Sequence, residues 1–181
     1  YGRWGMSEEA LDLLWPLLHD QQDRCITQET VLALADILNG AGMASESIEV
    51  LECHASLFMG HSSSRVTGRF VSRAVEAHLL LGNTEAAYEA ASRMADACET
   101  RDDKLGAGRA LRQMAVSQRA RGDLTNALSL CSLSHDLLVE HGDRREAALA
   151  EVEIGEIRAL GGDYVRARSS LKEAHDAFAA M

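Results

Sequence analysis

The chain has 181 residues, 46% of them apolar and 25% charged, with a formal net charge of −10; this suits one domain or one short repeat array, and the acidity argues against nucleic acid as a direct partner, because phosphate binding needs clustered Lys and Arg. No apolar run approaches the roughly 18 residues of a membrane span, and Tyr1-Gly-Arg-Trp-Gly-Met6 lacks the apolar stretch of a signal peptide. One proline, 4% aromatic residues and abundant Ala and Leu favour helices over sheets.

In chain order, the pattern predicts a helix at about 7–19, kinked or shortened by Pro16. Helices follow at about 28–40 and 44–60, 66–81 and 84–100, 104–121 and 124–141, and 144–160 and 163–179. Polar connectors (HDQQDR, GHSSSR, ETRDDK, EHGDRR) join them, and none is long enough to be an interdomain linker. The expected organisation is a single repeat domain over 1–181: a partial repeat at 1–24, then repeats at about 25–61, 62–101, 102–141 and 142–181. Arg3, Trp4 and Gly5 look like the tail of a helix whose beginning lies outside the sequence, so the chain is expected to be part of a longer protein.

The repeat rests on regular spacing. Gly42, Gly82, Gly122 and Gly162 stand 40 residues apart, and Gly5 precedes Gly42 by 37. Five residues after each comes a small residue: Ala10, Ser47, Ala87, Ala127 or Ala167. Seven residues before the last four lie Ala35, Val75, Ala115 and Gly155. A glycine just past a helix takes positive φ and reverses the chain, and the Asn83, Asp123 or Asp163 that follows caps the next helix. Small residues recur where antiparallel helices cross closely. Leu111, Met114, Leu128, Leu130, Leu133 and Leu137, and later Val152, Ile154, Ile157, Leu160, Leu171 and Phe178, are expected around them. No single hairpin could bury so much apolar surface alone, so neighbours must stack.

On these residues (Ala35 and Ser47, Ala115 and Ala127, Gly155 and Ala167, and the Gly-Asp/Asn turn) the chain resembles the tetratricopeptide repeat family. The 40-residue period exceeds the usual 34. The longer form is similar to the repeats of kinesin light chains and of MalT-like bacterial regulators. HEAT arrays share the longer period, but the paired small residues and the intra-hairpin Gly-Asp turn favour the tetratricopeptide form. The resemblance implies an all-α, right-handed α–α superhelix. It also implies that the first helix of each pair lines a concave face: Glu29, Leu32, Asp36 and Asn39; then Arg69, Ser72, Glu76 and Leu79; then Arg109, Arg112, Val116 and Arg119; and last Leu149, Val152 and Glu156.

Charge is uneven along the chain: residues 1–64 carry two basic and ten acidic side chains, whereas residues 101–121 carry six basic and two acidic ones. Arg109, Arg112 and Arg119 share one broad helical face, and Arg69 and Arg73 could extend it. Two expectations stand side by side. Either the stripe grips an acidic peptide, a terminal carboxylate or an anionic small molecule through paired hydrogen bonds, or the arginines are solvated or paired with neighbouring Asp and Glu.

No HExxH motif, phosphate loop or catalytic constellation is readable, so no enzyme activity, metal or cofactor is expected. The four cysteines are widely spaced with no CxxC, which suits a reducing, cytoplasmic setting. The expected function is a protein- or peptide-binding scaffold without a membrane partner. The alternative is a ligand-sensing or oligomerisation domain of a bacterial transcriptional regulator, with a small-molecule effector. Self-association is expected in either case.

Overall fold

The computed structural model describes residues 9, 12–18, 24–58 and 63–181. Expectations on Arg3, Trp4, Gly5 and Ala10, and on both ends of the expected 7–19 helix, lie outside them. Among the described residues there are helices and turns and no strand. They fall into two compact units, Tyr1–Asn83 and Thr84–Met181.

In the first unit, a helical stretch at 12–14 tightens into a 3₁₀ turn, Trp15–Leu18. That shortening is what Pro16 imposes, since its ring and missing N–H oppose a continued α-helix. Helix α1, Arg24–Gly40, buries Val31, Leu32, Leu34, Ala35 and Leu38 almost completely. Helix α2, Ala44–Cys53, ends earlier than the expected 44–60. His54 turns its Nδ1 onto the Val50 carbonyl at 2.8 Å, and the chain enters a 3₁₀ turn at Ala55–Leu57. Burial of Phe58 favours that departure: it is fully enclosed, its ring stacks on Phe70 with centroids 4.4 Å apart, and its carbonyl accepts from Thr67 Oγ1. Ser63 then caps helix α3, Ser64–Leu80.

The second unit contains α4 (Thr84–Thr100), α5 (Lys104–Ala120), α6 (Leu124–Glu140), α7 (Arg144–Leu160) and α8 (Tyr164–Ala179). Each helix from α5 onward is preceded by an aspartate: Asp103, Asp123, Asp143 and Asp163 accept from backbone N–H groups three residues on, at 2.8, 3.2, 3.2 and 3.1 Å. Asp123 and Asp163 were legible as caps. Asp103 and Asp143 sit in what read only as polar connectors. Ahead of the caps the chain reverses through Gly122, Gly142 and Gly162 at φ of 84, 79 and 83°. Asp102 holds the corresponding place after α4 with φ 54°.

The core of this unit is built from small residues. On α6 the buried stripe is Ala127, Cys131, Ser134 and Leu138, spaced four, three and four apart. Leu133, expected in the core, lies roughly half a turn from Cys131 and is 56% exposed. Leu160 is exposed for the same reason, off its helix's buried stripe, whereas Phe178 continues the stripe of Ala167, Ser170 and Ala174 but stands in the last turn of α8, where it is 39% exposed. Ala115, Ala127, Cys131, Ala150, Ile154 and Ile157 form one buried cluster, with Leu124, Leu128 and Leu130 packed against it. Leucine is admitted where its partner helix carries glycine. Leu138 lies over Gly108, and Leu171 over Gly155.

Candidate functional site

The residues singled out from sequence lie on α1, α3, α5 and α7, the first helices of successive 40-residue repeats. In the first unit, Arg69 Nη1 donates to both carboxylate oxygens of Glu29 at 2.9 Å, and Arg73 pairs with Asp36. Asn39 is buried, and its Nδ2 donates to the Arg73 carbonyl at 3.1 Å and to Glu76 Oε2 at 3.3 Å. Ser72 is half-buried and Glu76 exposed. Leu32, placed on the concave face by the family arrangement, is fully enclosed and belongs to the core.

In the second unit, Arg109 pairs with Asp143, and Arg112 Nη2 donates to Glu146 Oε2 at 2.9 Å. Arg119 reaches two carboxylates, Glu153 and Glu156, each at 3.2 Å. All of the expected arginines are therefore engaged by carboxylates of their own unit. The first two of this unit are bedded deeply: the Arg109 and Arg112 side chains keep only 12% and 14% exposure, against 28% for Arg119. The buried Nε groups of Arg109, Arg112 and Arg119 have no acceptor.

The arginine pairing of the second unit follows one rule. Arg109, Arg112 and Arg119 each meet the residue 34 positions on, and Arg119 also meets the one 37 on. Asn39 in the first unit likewise reaches residues 34 and 37 positions on. An offset of one 40-residue repeat less one or two helical turns is what consecutive first helices packed at a tilt require. Asp143, Glu146 and Glu153 were not singled out from sequence. A search for opposite charge at repeat length minus six would have found them.

Burial has a cost here. Glu153 is pushed above the ordinary carboxylate range by desolvation, with the Arg119 guanidinium pulling the other way. Cys131, whose Sγ donates to the Ala150 carbonyl, is raised to about 12, first by burial and then by the Glu153 charge. Such a thiol is a packing group and not a nucleophile. No cysteine forms a disulfide: Cys98 and Cys131 are buried, Cys25 and Cys53 exposed. Among the described residues no group of three or more His, Cys, Asp and Glu could hold a metal ion, and no helix is long and apolar enough to cross a membrane.

No family model and no curated protein matches the sequence. Solved structures do match. BtubC of P. vanneervenii superposes with a TM-score of 0.70 at 15% identity, over 98% of this chain and 75% of that one. A kinesin light chain protein of Podospora anserina with nearly identical TPR-like repeats gives 0.66 at 14% identity, over 97% and 88%. The fold is of the tetratricopeptide type. MamA of Desulfovibrio magneticus RS-1 agrees, with 0.58 at 15% identity over 99% and 89%. Within this tetratricopeptide-type chain, the Gly-Asp turns and the small residues Ala35, Ser47, Ala115, Ala127, Gly155 and Ala167 occupy the places the resemblance gave them, at turns and in buried contacts. The charged groups of α1 and α3, and those of α5 and α7, form ladders along the first helices of their repeats.

Proposed function

We propose that this chain is a non-catalytic scaffold that binds a protein or peptide along the first helices of its repeats, within one repeat domain over 1–181. The observation that supports it is the ladder itself. Side chains at equivalent repeat positions, Asn39 and Arg119, bridge to equivalent positions on the next first helix in both units. Long side chains held this way have already lost much of the freedom that binding would otherwise remove.

The acidic-partner reading takes a definite form on this geometry. An anionic segment meets Arg119 first in the second unit, and Arg69 and Arg73 first in the first unit, because these keep the most exposed guanidinium groups. Asp36, Asn39, Ser72 and Glu76 flank the latter pair, while Arg109 and Arg112 orient the ladder from below. A reducing, cytoplasmic setting suits the absence of disulfides. Self-association belongs to the same reading, since Tyr164 and Val165 on α8 are 72% and 85% exposed.

The test is selection of peptides from a displayed random library, followed by calorimetry. One-to-one binding of acidic sequences is expected, weakened at least tenfold by Arg69→Ala with Arg119→Ala. Arg119→Ala strands Glu153 as Arg109→Ala with Arg112→Ala would strand Asp143 and Glu146, so the urea midpoint of the double variant is measured beside its affinity. Failure to enrich any peptide, or unchanged affinity in the double variant, overturns the assignment.

A further inference from the structure

A second surface lies away from the first-helix ladders. Between α6 and α8, with α7 as its floor, runs a groove of about 320 Å³. Ala147, Ala148, Ala174 and Ala177 make much of its lining, and Glu151 and Glu173 enter it as carboxylates. The preceding repeat of the same chain carries different side chains at these places. Forty residues earlier, Glu151, Glu173 and Ala177 correspond to Leu111, Leu133 and Leu137. Three leucines have become two glutamates and an alanine. Leu111 and Leu137 are half-buried and Leu133 exposed, so the exchange removes apolar side-chain volume from a partly open surface and brings in negative charge.

The carboxylates are not used up internally. The Glu151 side chain is only 13% exposed, and the His135 imidazole approaches it with Nε2 at 3.7 Å, beyond hydrogen-bond reach. Glu173 accepts from Ser169 Oγ at 3.0 Å and otherwise faces solvent. Arg144 also lines the groove, but it is exposed and lies about 10 Å along α7 from Glu151, at seven residues and ~1.5 Å each.

We propose that this groove binds the arginine side chain of a partner protein. Its aliphatic stem would lie on the alanine floor and its guanidinium fork would meet Glu151, with Glu173 at the rim. Arginine fits better than a simple amine. Its stem covers apolar surface while its planar head pairs with a carboxylate through two parallel hydrogen bonds. The charge pattern excludes an acidic occupant from the same end. The site is independent of the ladders of α1, α3, α5 and α7, so either surface can fail without the other.

The probe is N-acetyl-argininamide, titrated into the ¹⁵N-labelled chain. Saturable amide shifts are expected at His135, Ala148, Glu151, Glu173 and Ala177. N-acetyl-norleucinamide, which keeps the stem and lacks the charge, should give shifts at least fivefold smaller. Two variants separate binding from folding. Glu151→Gln keeps the shape and should weaken binding at least tenfold. The triple change Glu151→Leu, Glu173→Leu and Ala177→Leu restores the earlier repeat's residues, should stay folded by its amide spectrum, and should abolish the shifts. No saturable shift in the wild-type chain overturns the site. Equal shifts with norleucinamide overturn the guanidinium assignment, and undiminished binding in Glu151→Gln overturns the role of that carboxylate.

Discussion

Two glycines in the second unit offer a controlled comparison. A Cβ added at Gly108 would lie 2.8 Å from Cγ and 2.9 Å from Cδ2 of Leu138; one added at Gly155 would lie 2.7 and 2.9 Å from the same atoms of Leu171. Ordinary carbon contacts are about 3.5–4.0 Å, so both alanine variants require a leucine to move. Both also gain about 1 kcal/mol of intrinsic helix stability from replacing an interior glycine. The difference lies in the leucines. Leu138 is fully enclosed, whereas Leu171 is 41% exposed and can swing toward solvent, leaving the added Cβ at Gly155 a 3.3 Å approach to the Ala167 carbonyl oxygen. Overpacking at an enclosed position costs about 1–3 kcal/mol. Gly108→Ala should therefore lose up to about 2 kcal/mol net, and Gly155→Ala should stay within about 0.5 kcal/mol of the parent. Equilibrium urea unfolding at constant slope measures both. The packing argument fails if Gly108→Ala equals or exceeds the parent chain, or if the two variants lose the same amount.

Two further predictions follow from the charged groups. Asp123→Ala removes a cap and an exposed hydrogen bond from Asn126 Nδ2 and should cost about 1 kcal/mol, whereas Asp143→Ala also strips the deeply bedded Arg109 of its carboxylate and should cost about 3 kcal/mol by the same urea assay; equal losses would mean that the Arg109 pair contributes nothing. Glu153 has a folded pKa raised above its unfolded one, so the folded state binds its proton more tightly. Its contribution is fully present below the ordinary carboxylate value of 4.5 and is lost as pH rises through the raised folded value. Glu153→Gln should accordingly gain stability relative to the parent at pH 7, and the advantage should shrink as pH falls toward 4.5; an advantage that grows on acidification would contradict the assigned burial effect.

Much of the architecture was legible because the repeat writes the same local chemistry every 40 residues. Gly82, Gly122 and Gly162 take the positive φ that their position demands, and Ala115 and Ala127 are buried as small residues should be. What was missed depends on which face of a helix points inward. Leu133 is apolar but sits off the stripe set by Ala127, Cys131, Ser134 and Leu138, so composition misplaced it. The early end of α2 was hidden for another reason: it depends on Phe58 meeting Phe70, a contact between elements that no local pattern encodes. Glu29, Asp36 and Glu156 were named with the arginines they meet, but Asp143, Glu146 and Glu153 were not, since they stand 34 residues away and read as ordinary surface acids.

That spacing limits how such a chain can evolve. A repeat copied and moved to a new slot keeps its backbone shape but carries the wrong correspondents. Were Asn39 to stand where Arg119 stands, Glu153 and Glu156 would face a neutral amide and lose their cation. The sequence of hairpins is thus recorded in side-chain chemistry, and duplicated segments can diverge safely only by paired substitutions on successive units.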